Sequence, residues 1–337
     1  MKMRLHPVEL PLRHTFTIAH GSRDVQPSLI VELADGPHHG YGEGCPLDYY
    51  GLTVESMVAA LESVRRRIET CRWTEPTQLW EALLPMLGDN RFALCALDQA
   101  AHDLWGKRLG QPVYRLWGLK IDSIPVTDYT IGIDTTEKMV AKLREFPDWP
   151  IYKIKLGTPQ DLQIITELRR HTNAVFRVDA NTAWTADEAI RNAAELADLG
   201  VEFIEQPLPR GDWEPMRRVF QESALPVIAD ESCQREEDVE RCADCFHGIN
   251  IKLTKCGGLT PARRMIDRAR QLGLKVMVGC MTESTVGCSA IAQLLPLLDY
   301  VDMDGPMLIA RDVATGIRLD HGRVIFPKEN GCGVRLL

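Results

Sequence analysis

Charged residues recur near the ends of short apolar runs in this 337-residue sequence, where a buried strand would normally carry none. Most follow one another at intervals of 22 to 26 positions: Lys153 (with Lys155 two residues on), Asp179, Glu205, Asp230 and Lys252. One strand–helix unit fits each interval, so the charges would stand at the same height on successive parallel strands. The spacing therefore predicts one shared site at the carboxyl ends of these strands.

The three carboxylates of this series, Asp179, Glu205 and Asp230, would repel one another unless a cation lay among them. Ligands that are all oxygen suit a hard ion such as Mg²⁺, which keeps open positions for water or substrate. Any one of these carboxylates alone would as readily cap a helix or pair with an arginine. Because three occur in register, we predict one Mg²⁺ ion per subunit.

The lysines of the series indicate acid–base chemistry. Lys153 and Lys155 are two apart on one strand and so face the same way. Two neighbouring ammonium groups, partly desolvated, should lower each other's pKa and make a usable general base. Lys252, four strands further on, would lie across the barrel. Bases on both sides of a metal suit a racemase or epimerase, whereas structural pairing of the lysines with the carboxylates is the alternative.

The elements that would position these residues alternate between β-branched runs and helical segments from about residue 122. Eight such runs, from IPVTDYTIG to YVDMDGP, predict a parallel α/β barrel. No G-x-G-x-x-G follows a strand, which argues against a dinucleotide-binding fold. We predict three parts: an α+β domain over residues 1–115, the barrel over 116–310, and a segment over 311–337 that returns to the first domain.

Composition limits the class of protein and its partners. The net charge of −8 argues against nucleic acid, and no apolar run is long enough to span a bilayer. The charged, proline-broken start is not a secretory signal, so we expect a cytoplasmic protein, and a homo-oligomer is compatible with the sequence. Cys242 and Cys245 have C-x-x-C spacing but no second pair, and we interpret all ten cysteines as reduced thiols.

Several motifs, taken in order, resemble the muconate-lactonising subgroup of the enolase superfamily. They are the Lys-x-Lys pair, VDANTAW, IEQPLP, IADES and NIKLTKCGG, and the helix ALDQAAHDLWGKRLG is similar to the last helix of that subgroup's capping domain. The resemblance covers nearly the whole chain. It implies a (β/α)7β modified TIM barrel with an α+β capping domain, and Mg²⁺ with lysine bases, a pairing for which this superfamily is itself a standard example.

Within the subgroup, the DMDGP segment resembles dipeptide epimerases. Asp302 and Asp304 would bind the free α-ammonium of a dipeptide. The implied isomerase reaction is a 1,1-proton transfer at the C-terminal residue of an L-Ala-D/L-Xaa dipeptide, through an enediolate that Lys153 and the metal stabilise. Cycloisomerases, o-succinylbenzoate synthases and N-acylamino acid racemases are the alternatives, and a catalytically silent metal- or peptide-binding barrel is a remote one.

Specificity is the least determined feature. In L-Ala-D/L-Glu epimerases an arginine follows the first strand, but here FTIAHGSRDV places His20 there and Arg23 three residues later. We predict that both belong to the substrate site, where Arg23 would form a bidentate pair with an anionic side chain; a solvated loop position for Arg23 is the alternative. Glu283 would repel an acidic side chain if it lined the pocket, and Tyr50 would supply a wall. Family resemblance alone makes glutamate the default Xaa.

Overall fold

The computed structural model describes residues 1–19 and 21–337, and its N-terminal part is a three-stranded antiparallel sheet followed by helices. The elements are β1 (Lys2–Ile18), β2 (Gly21–Asp35), β3 (His38–Gly44), α1 (Val54–Ser63), α2 (Arg65–Thr70), α3 (Pro76–Leu87), α4 (Arg91–Leu109) and α5 (Val113–Leu116). The sequence predicts β2 and β3 but not β1, whose prolines and charges obscure its alternation. Pairing with β2 shifts register between Pro11 and Phe16.

Helix α4 lies directly on this sheet. A side chain at Gly42 would collide with the backbone of Ala96 and Ala100, so only glycine permits this close approach. The face between sheet and helices buries apolar residues, among them Leu29 of β2 and Leu97 of α4. The N-terminal part thus has a hydrophobic core of its own.

Eight parallel strands form the second part. They are β4 (Tyr129–Ile131), β5 (Ile151–Lys155), β6 (Val175–Asp179), β7 (Val201–Glu205), β8 (Val227–Ala229), β9 (Gly248–Ile251), β10 (Lys275–Gly279) and β11 (Tyr300–Asp302). Each strand pairs with its neighbour in sequence, and a parallel bridge between Thr127 and Val301 links the two outer strands. The eight predicted runs and the nearly closed barrel are confirmed.

Helices connect the strands and surround the barrel. They are α6 (Thr136–Glu145), α7 (Asp161–Arg169), α8 (Ala186–Asp198), α9 (Trp213–Glu222), α10 (Asp238–Cys242), α11 (Leu253–Cys256), α12 (Leu259–Gln271), α13 (Thr285–Ala292) and α14 (Gly305–Leu308). Seven intervals separate eight strands, as the (β/α)7β prediction requires. In the described ranges 1–19 and 21–337, no helix is both long and apolar enough to cross a membrane.

The chain end returns to the N-terminal helices. It forms β12 (Ala314–Thr315), β13 (Arg318–Asp320), β14 (Arg323–Ile325) and β15 (Arg335–Leu336) in two small antiparallel pairs. On α4, Asp103 accepts a hydrogen bond from the Cys332 amide at 2.7 Å, and Lys107 donates to the Val334 carbonyl at 2.7 Å. These contacts place the final segment against the first part.

The N-terminal part also packs over the carboxyl ends of the barrel strands. The Glu43 carboxylate of β3 accepts hydrogen bonds from the Ser284 hydroxyl at 2.6 Å and the Gly287 amide at 3.0 Å, at the start of α13. The Trp80 indole donates to the Gly257 carbonyl at 2.8 Å. The barrel mouth is therefore covered by residues from the first part of the chain.

Candidate active site

Strand register brings the predicted charged residues to one level of the barrel. Lys155 on β5 pairs in register with Asp179 on β6, and Asp179 pairs with Glu205 on β7. Asp230 follows directly after β8, which ends at Ala229. Because residues in register on a parallel sheet share a height, these side chains meet at the carboxyl ends of their strands.

The carboxylates of Asp179, Glu205 and Asp230 converge on one point. One oxygen from each lies within 4.8 Å of the others, and all three residues are buried. Buried carboxylates this close need positive charge between or beside them. Two further buried oxygens adjoin them: Asn181 Oδ1 and Glu231 Oε2 find no hydrogen-bond partner among the described residues. This all-oxygen set fits a hard divalent cation with water in its remaining positions.

Buried neighbours hold these carboxylates in place. The Gln206 side chain accepts hydrogen bonds from the amides of Asp230 at 2.9 Å and Ser232 at 3.0 Å. It also donates to the Leu208 carbonyl at 2.8 Å and the Ser232 hydroxyl at 2.9 Å. Gln206 has a φ of +34°, an uncommon backbone conformation that persists only under such support. The ends of β7 and β8 are thereby fixed to each other.

Two more side chains support single carboxylates. Asn250 Nδ2 donates to Glu205 Oε1 at 2.7 Å. The Lys255 ammonium, which is buried, donates to Asp230 Oδ1, to the Asp230 carbonyl and to the Cys233 carbonyl at 3.0 Å. Glu205 and Asp230 thus each have a buried partner that orients the carboxylate.

The lysines stand on opposite sides of this cluster. Strands β5 and β9 are four places apart in an eight-stranded barrel, so Lys155 and Lys252 (which follows β9) face each other across it. Lys155 Nζ lies 2.6 Å from Asp179 Oδ2, and Lys252 Nζ lies 2.9 Å from Asp230 Oδ2. Both line the same cavity. The arrangement has the geometry that two-sided proton transfer requires.

The expectation that Lys153 and Lys155 lower each other's pKa is wrong for Lys153, and the pKa of Lys252 is raised as well. Burial is the largest single influence on Lys252 and lowers its pKa, as does Lys153, but Asp230 and Glu205 act in the opposite direction and the net pKa lies well above its ordinary value. Burial also lowers the pKa of Lys153, but the surrounding carboxylates, Asp302 and Glu205 foremost, together raise it well above its ordinary value. The carboxylates therefore dominate the electrostatics of the site.

Asp302 and Asp304 also reach the cavity, from the last barrel strand and the residues after it. Asp302 Oδ2 lies 2.7 Å from Lys153 Nζ, and Asp304 Oδ2 accepts a hydrogen bond from the Thr130 amide at 2.6 Å. Burial, and then the charge of Asp302, raise the pKa of Asp304 to about 8. A cationic group entering beside them would relieve this repulsion.

The cavity walls come from both parts of the chain. Tyr50 lines the cavity as predicted and packs on Phe92, with ring centroids 5.3 Å apart. Arg23 is not among the lining residues, and its guanidinium donates to Gln26 Oε1 at 2.6 Å. Glu283 lies behind the wall, where its carboxylate accepts a hydrogen bond from the Met281 amide at 3.2 Å. His20 lies outside the described residues.

Several lining residues have no prediction from the sequence. The apolar ones are Phe16, Ile18, Leu47, Met281 and Leu308, and the polar ones include Thr130, Cys280, Thr282 and Glu231. Thr130 and Cys280 lie near the carboxyl ends of β4 and β10, the position at which the sequence analysis expects site residues, so the strand pattern could have identified them. Phe16 and Ile18 lie in the FTIAHGSRDV segment that the family resemblance places at the specificity pocket, but the segment alone does not indicate which of its side chains enter the cavity.

Comparison with known proteins agrees with this architecture. Residues 1–118 match the model of the mandelate racemase/muconate lactonizing enzyme N-terminal domain, and residues 136–337 match that of the enolase C-terminal domain-like family. An L-Ala-D/L-amino acid epimerase of Flavobacterium johnsoniae is 54% identical over 337 residues, 100% of both chains. One of a Maribacter species is 55% identical, over 100% of this chain and 99% of its own.

A solved structure of lower sequence identity also matches this chain over nearly its whole length. The dipeptide epimerase of Cytophaga hutchinsonii, complexed with Mg and the dipeptide D-Ala-L-Val, is 27% identical, with a TM-score of 0.92 over 99% of this chain and 95% of its own. Family models together span most of the chain, and the relatives match it end to end. The chain therefore belongs to the mandelate racemase/muconate lactonizing enzyme family of the enolase superfamily.

Proposed function

We propose that this chain is a Mg²⁺-dependent dipeptide epimerase that inverts the α-carbon of the C-terminal residue of L-Ala-D/L-Xaa dipeptides. The observation that carries the proposal is the placement of Lys155 and Lys252 on opposite sides of one cavity, with three buried carboxylates between them. Inversion requires removal of a proton from one face and delivery to the other. The two relatives at 54% and 55% identity carry the matching name.

Asp179, Glu205 and Asp230 would hold the metal ion, since one oxygen from each converges within 4.8 Å of the others. When bound, Mg²⁺ supplies positive charge that stabilises the negative charge developing on the substrate carboxylate. The chain adds a fixed charge of its own. Lys153 is fully buried and lies 2.8 Å from Glu205 Oε2, so its ammonium would add a fixed positive charge next to the proposed metal site, where it would stabilise the negative charge of the enediolate.

The proton-transfer step is assigned to Lys155 and Lys252. Whichever lysine faces the α-hydrogen of the bound isomer takes the proton in its neutral form, and the opposite lysine, still an ammonium, returns one to the other face. Each lysine contacts a carboxylate of the proposed metal site, Asp179 or Asp230, which fixes the direction of its Nζ. Positioning of this kind converts a bimolecular proton transfer into a local one.

Asp302 and Asp304 would bind the free ammonium of the dipeptide. Both line the cavity, and their carboxylates are close enough that one oxygen of each lies within 4.8 Å of the Cys280 thiol and of the other. A primary ammonium donates three hydrogen bonds, and charge-assisted bonds to carboxylates are the stronger kind. Substrates without an ammonium, such as those of cycloisomerases, leave this pair without a function.

Solvent exchange tests the proposal directly. The purified protein is incubated with an L-Ala-L-Xaa panel in D₂O, and deuterium at the C-terminal α-carbon is followed by NMR and mass spectrometry. We expect uptake with inversion, loss of both after chelation with EDTA, and recovery with Mg²⁺. Asp230→Asn should fold but show no uptake. Absence of exchange and inversion across the panel, or full activity after exhaustive chelation, would refute the proposal.

We also propose that the chain divides into residues 1–115, 116–310 and 311–337. Two separate hydrophobic clusters support this division, one made almost wholly of residues from the first hundred or so and one centred on the barrel. The division is testable by limited proteolysis, with cleavage expected in the connecting stretch between α5 and β4 (Leu116 to Tyr129) rather than within either cluster.

A further inference from the structure

Most of the charged residues on the cavity wall are already assigned to the metal, to the proton transfer or to the substrate ammonium. Among the described residues that line the cavity, the cations are Lys155 and Lys252, and both are engaged by carboxylates. The acidic residues are Asp230, which belongs to the proposed metal site, Asp302 and Asp304, which belong to the proposed ammonium site, and Glu231. No arginine belongs to this described lining. A carboxylate side chain entering the cavity would therefore find no free cation among these lining residues.

The rest of the wall is mainly apolar. Phe16, Ile18, Leu47 and Tyr50 contribute from the N-terminal part, and Met281 and Leu308 from the barrel. The neutral polar groups of the lining include the hydroxyls of Thr130 and Thr282 and the carboxamide of Asn181. Contact between such a surface and an apolar side chain is favourable because both bury apolar area. An ionised side chain would lose its hydration there and gain few hydrogen bonds and no free counter-charge in return.

We infer that the substrates are dipeptides whose epimerised residue carries a neutral, apolar or aromatic side chain, and that glutamate is disfavoured. The inference rests on the proposed function and concerns the side-chain class alone. The catalytic lysines and carboxylates are committed to the backbone of the dipeptide. The side chain is left with the apolar wall, which includes Ile18 and Tyr50, and this replaces glutamate as the default Xaa.

Two substrates of nearly the same shape measure the effect of a negative charge on the epimerised side chain. L-Ala-L-Gln and L-Ala-L-Glu differ in little besides the ionised oxygen, and L-Ala-L-Leu and L-Ala-L-Met test the apolar preference. We expect kcat/KM for the glutamine dipeptide to exceed that for the glutamate dipeptide at least tenfold, with the leucine and methionine dipeptides at or above glutamine. Equal or higher kcat/KM for the glutamate dipeptide would overturn the inference.

Adding a cation to the wall should reverse the discrimination. Ile18→Arg places a guanidinium at the cavity edge, and Ile18→Met is the matched control of similar length without charge. We expect the glutamate-to-glutamine ratio of kcat/KM to rise at least tenfold in the arginine variant and to stay within twofold of wild type in the control. Leu308→Arg with Leu308→Met repeats the test from the barrel side, should the first pair fold poorly.

The outcomes separate this inference from the proposed function. If no dipeptide exchanges deuterium, the epimerase assignment fails. If dipeptides exchange but the folded arginine variants leave the glutamate-to-glutamine ratio unchanged, these walls do not contact the side chain and the inference is refuted. A melting temperature measured for each variant by circular dichroism shows which pair of variants is folded, and the substrate ratio of that pair decides whether the inference holds.

Discussion

Replacing Gln206 by methionine tests whether one buried amide holds two of the proposed metal ligands in place. The side chain is fully buried and makes four hydrogen bonds, as acceptor from the amides of Asp230 and Ser232 and as donor to the Leu208 carbonyl and the Ser232 hydroxyl. Methionine has a similar length but can satisfy none of them well. Two N–H groups, a carbonyl and a hydroxyl would lose their partner.

The expected loss follows from counting these groups. A buried polar group left without a partner costs about 1 kcal/mol or more, so four give about 4 kcal/mol. For a chain of 337 residues the entropy of unfolding converts this to a fall in melting temperature of about 6 °C. Affinity for the metal should fall as well, since Gln206 follows Glu205 directly and bonds the amide of Asp230. We expect a decrease of at least tenfold.

Differential scanning calorimetry and metal titration by isothermal calorimetry measure the two effects separately. Gln163→Met on the exposed face of α7 is the matched control, because it makes the same chemical change where no buried partner is lost. If Gln206→Met melts within about 1 °C of that control, the hydrogen bonds do not support the site. Loss of stability with unchanged metal affinity would refute the link between Gln206 and the ligands.

Three further perturbations follow from the site and the sheet. Lys252→Ala should abolish inversion while still allowing deuterium uptake from the isomer that faces Lys155, and wild-type inversion rates would contradict the two-base assignment. N-acetylation of a good dipeptide should lower kcat/KM at least tenfold, about 1.4 kcal/mol; an Asp304→Asn variant should show a smaller penalty, and equal turnover of free and acetylated dipeptides would point to an N-acylamino acid substrate. Burial raises the pKa of Glu32, but hydrogen bonds from its histidine partners and the charge of Arg4 outweigh this and lower it. The stability that Glu32 contributes is therefore present above its unfolded pKa and lost as pH falls through the folded value. Glu32→Gln should cost up to about 1 kcal/mol at pH 7 and progressively less as the pH is lowered below the unfolded pKa of glutamate, as measured by urea unfolding.

The barrel and its charged cluster were predictable because both depend on periodicity along the chain. The interval between Asp179 and Glu205 is one strand–helix unit, and a parallel sheet places residues at such intervals side by side. The opposition of Lys155 and Lys252 follows from the same count. No knowledge of packing was needed for either prediction.

Specificity residues were not predictable, because their positions depend on packing between distant segments rather than on periodicity along the chain. Phe16 and Ile18 reach the cavity because β1 and β2 extend over the barrel mouth, a contact between segments more than a hundred residues apart. Glu283 follows a barrel strand, as the catalytic residues do, yet its side chain turns away from the cavity beside Glu43. Whether a loop side chain enters a cavity or lies behind its wall depends on packing that sequence spacing does not encode.

The walls supplied by the first 51 residues have a consequence for how such a protein can change over generations. Phe16, Ile18, Leu47 and Tyr50 belong to one end of the chain, whereas every lysine and carboxylate of the proposed reaction lies beyond residue 150. Substitutions at that end can alter which substrate side chain is accepted without disturbing proton transfer. Specificity and catalysis can therefore evolve through two nearly independent sets of positions. A chimaeric protein whose first 51 residues come from a relative should show the substrate preference of that relative and keep the proton-transfer chemistry that both proteins share.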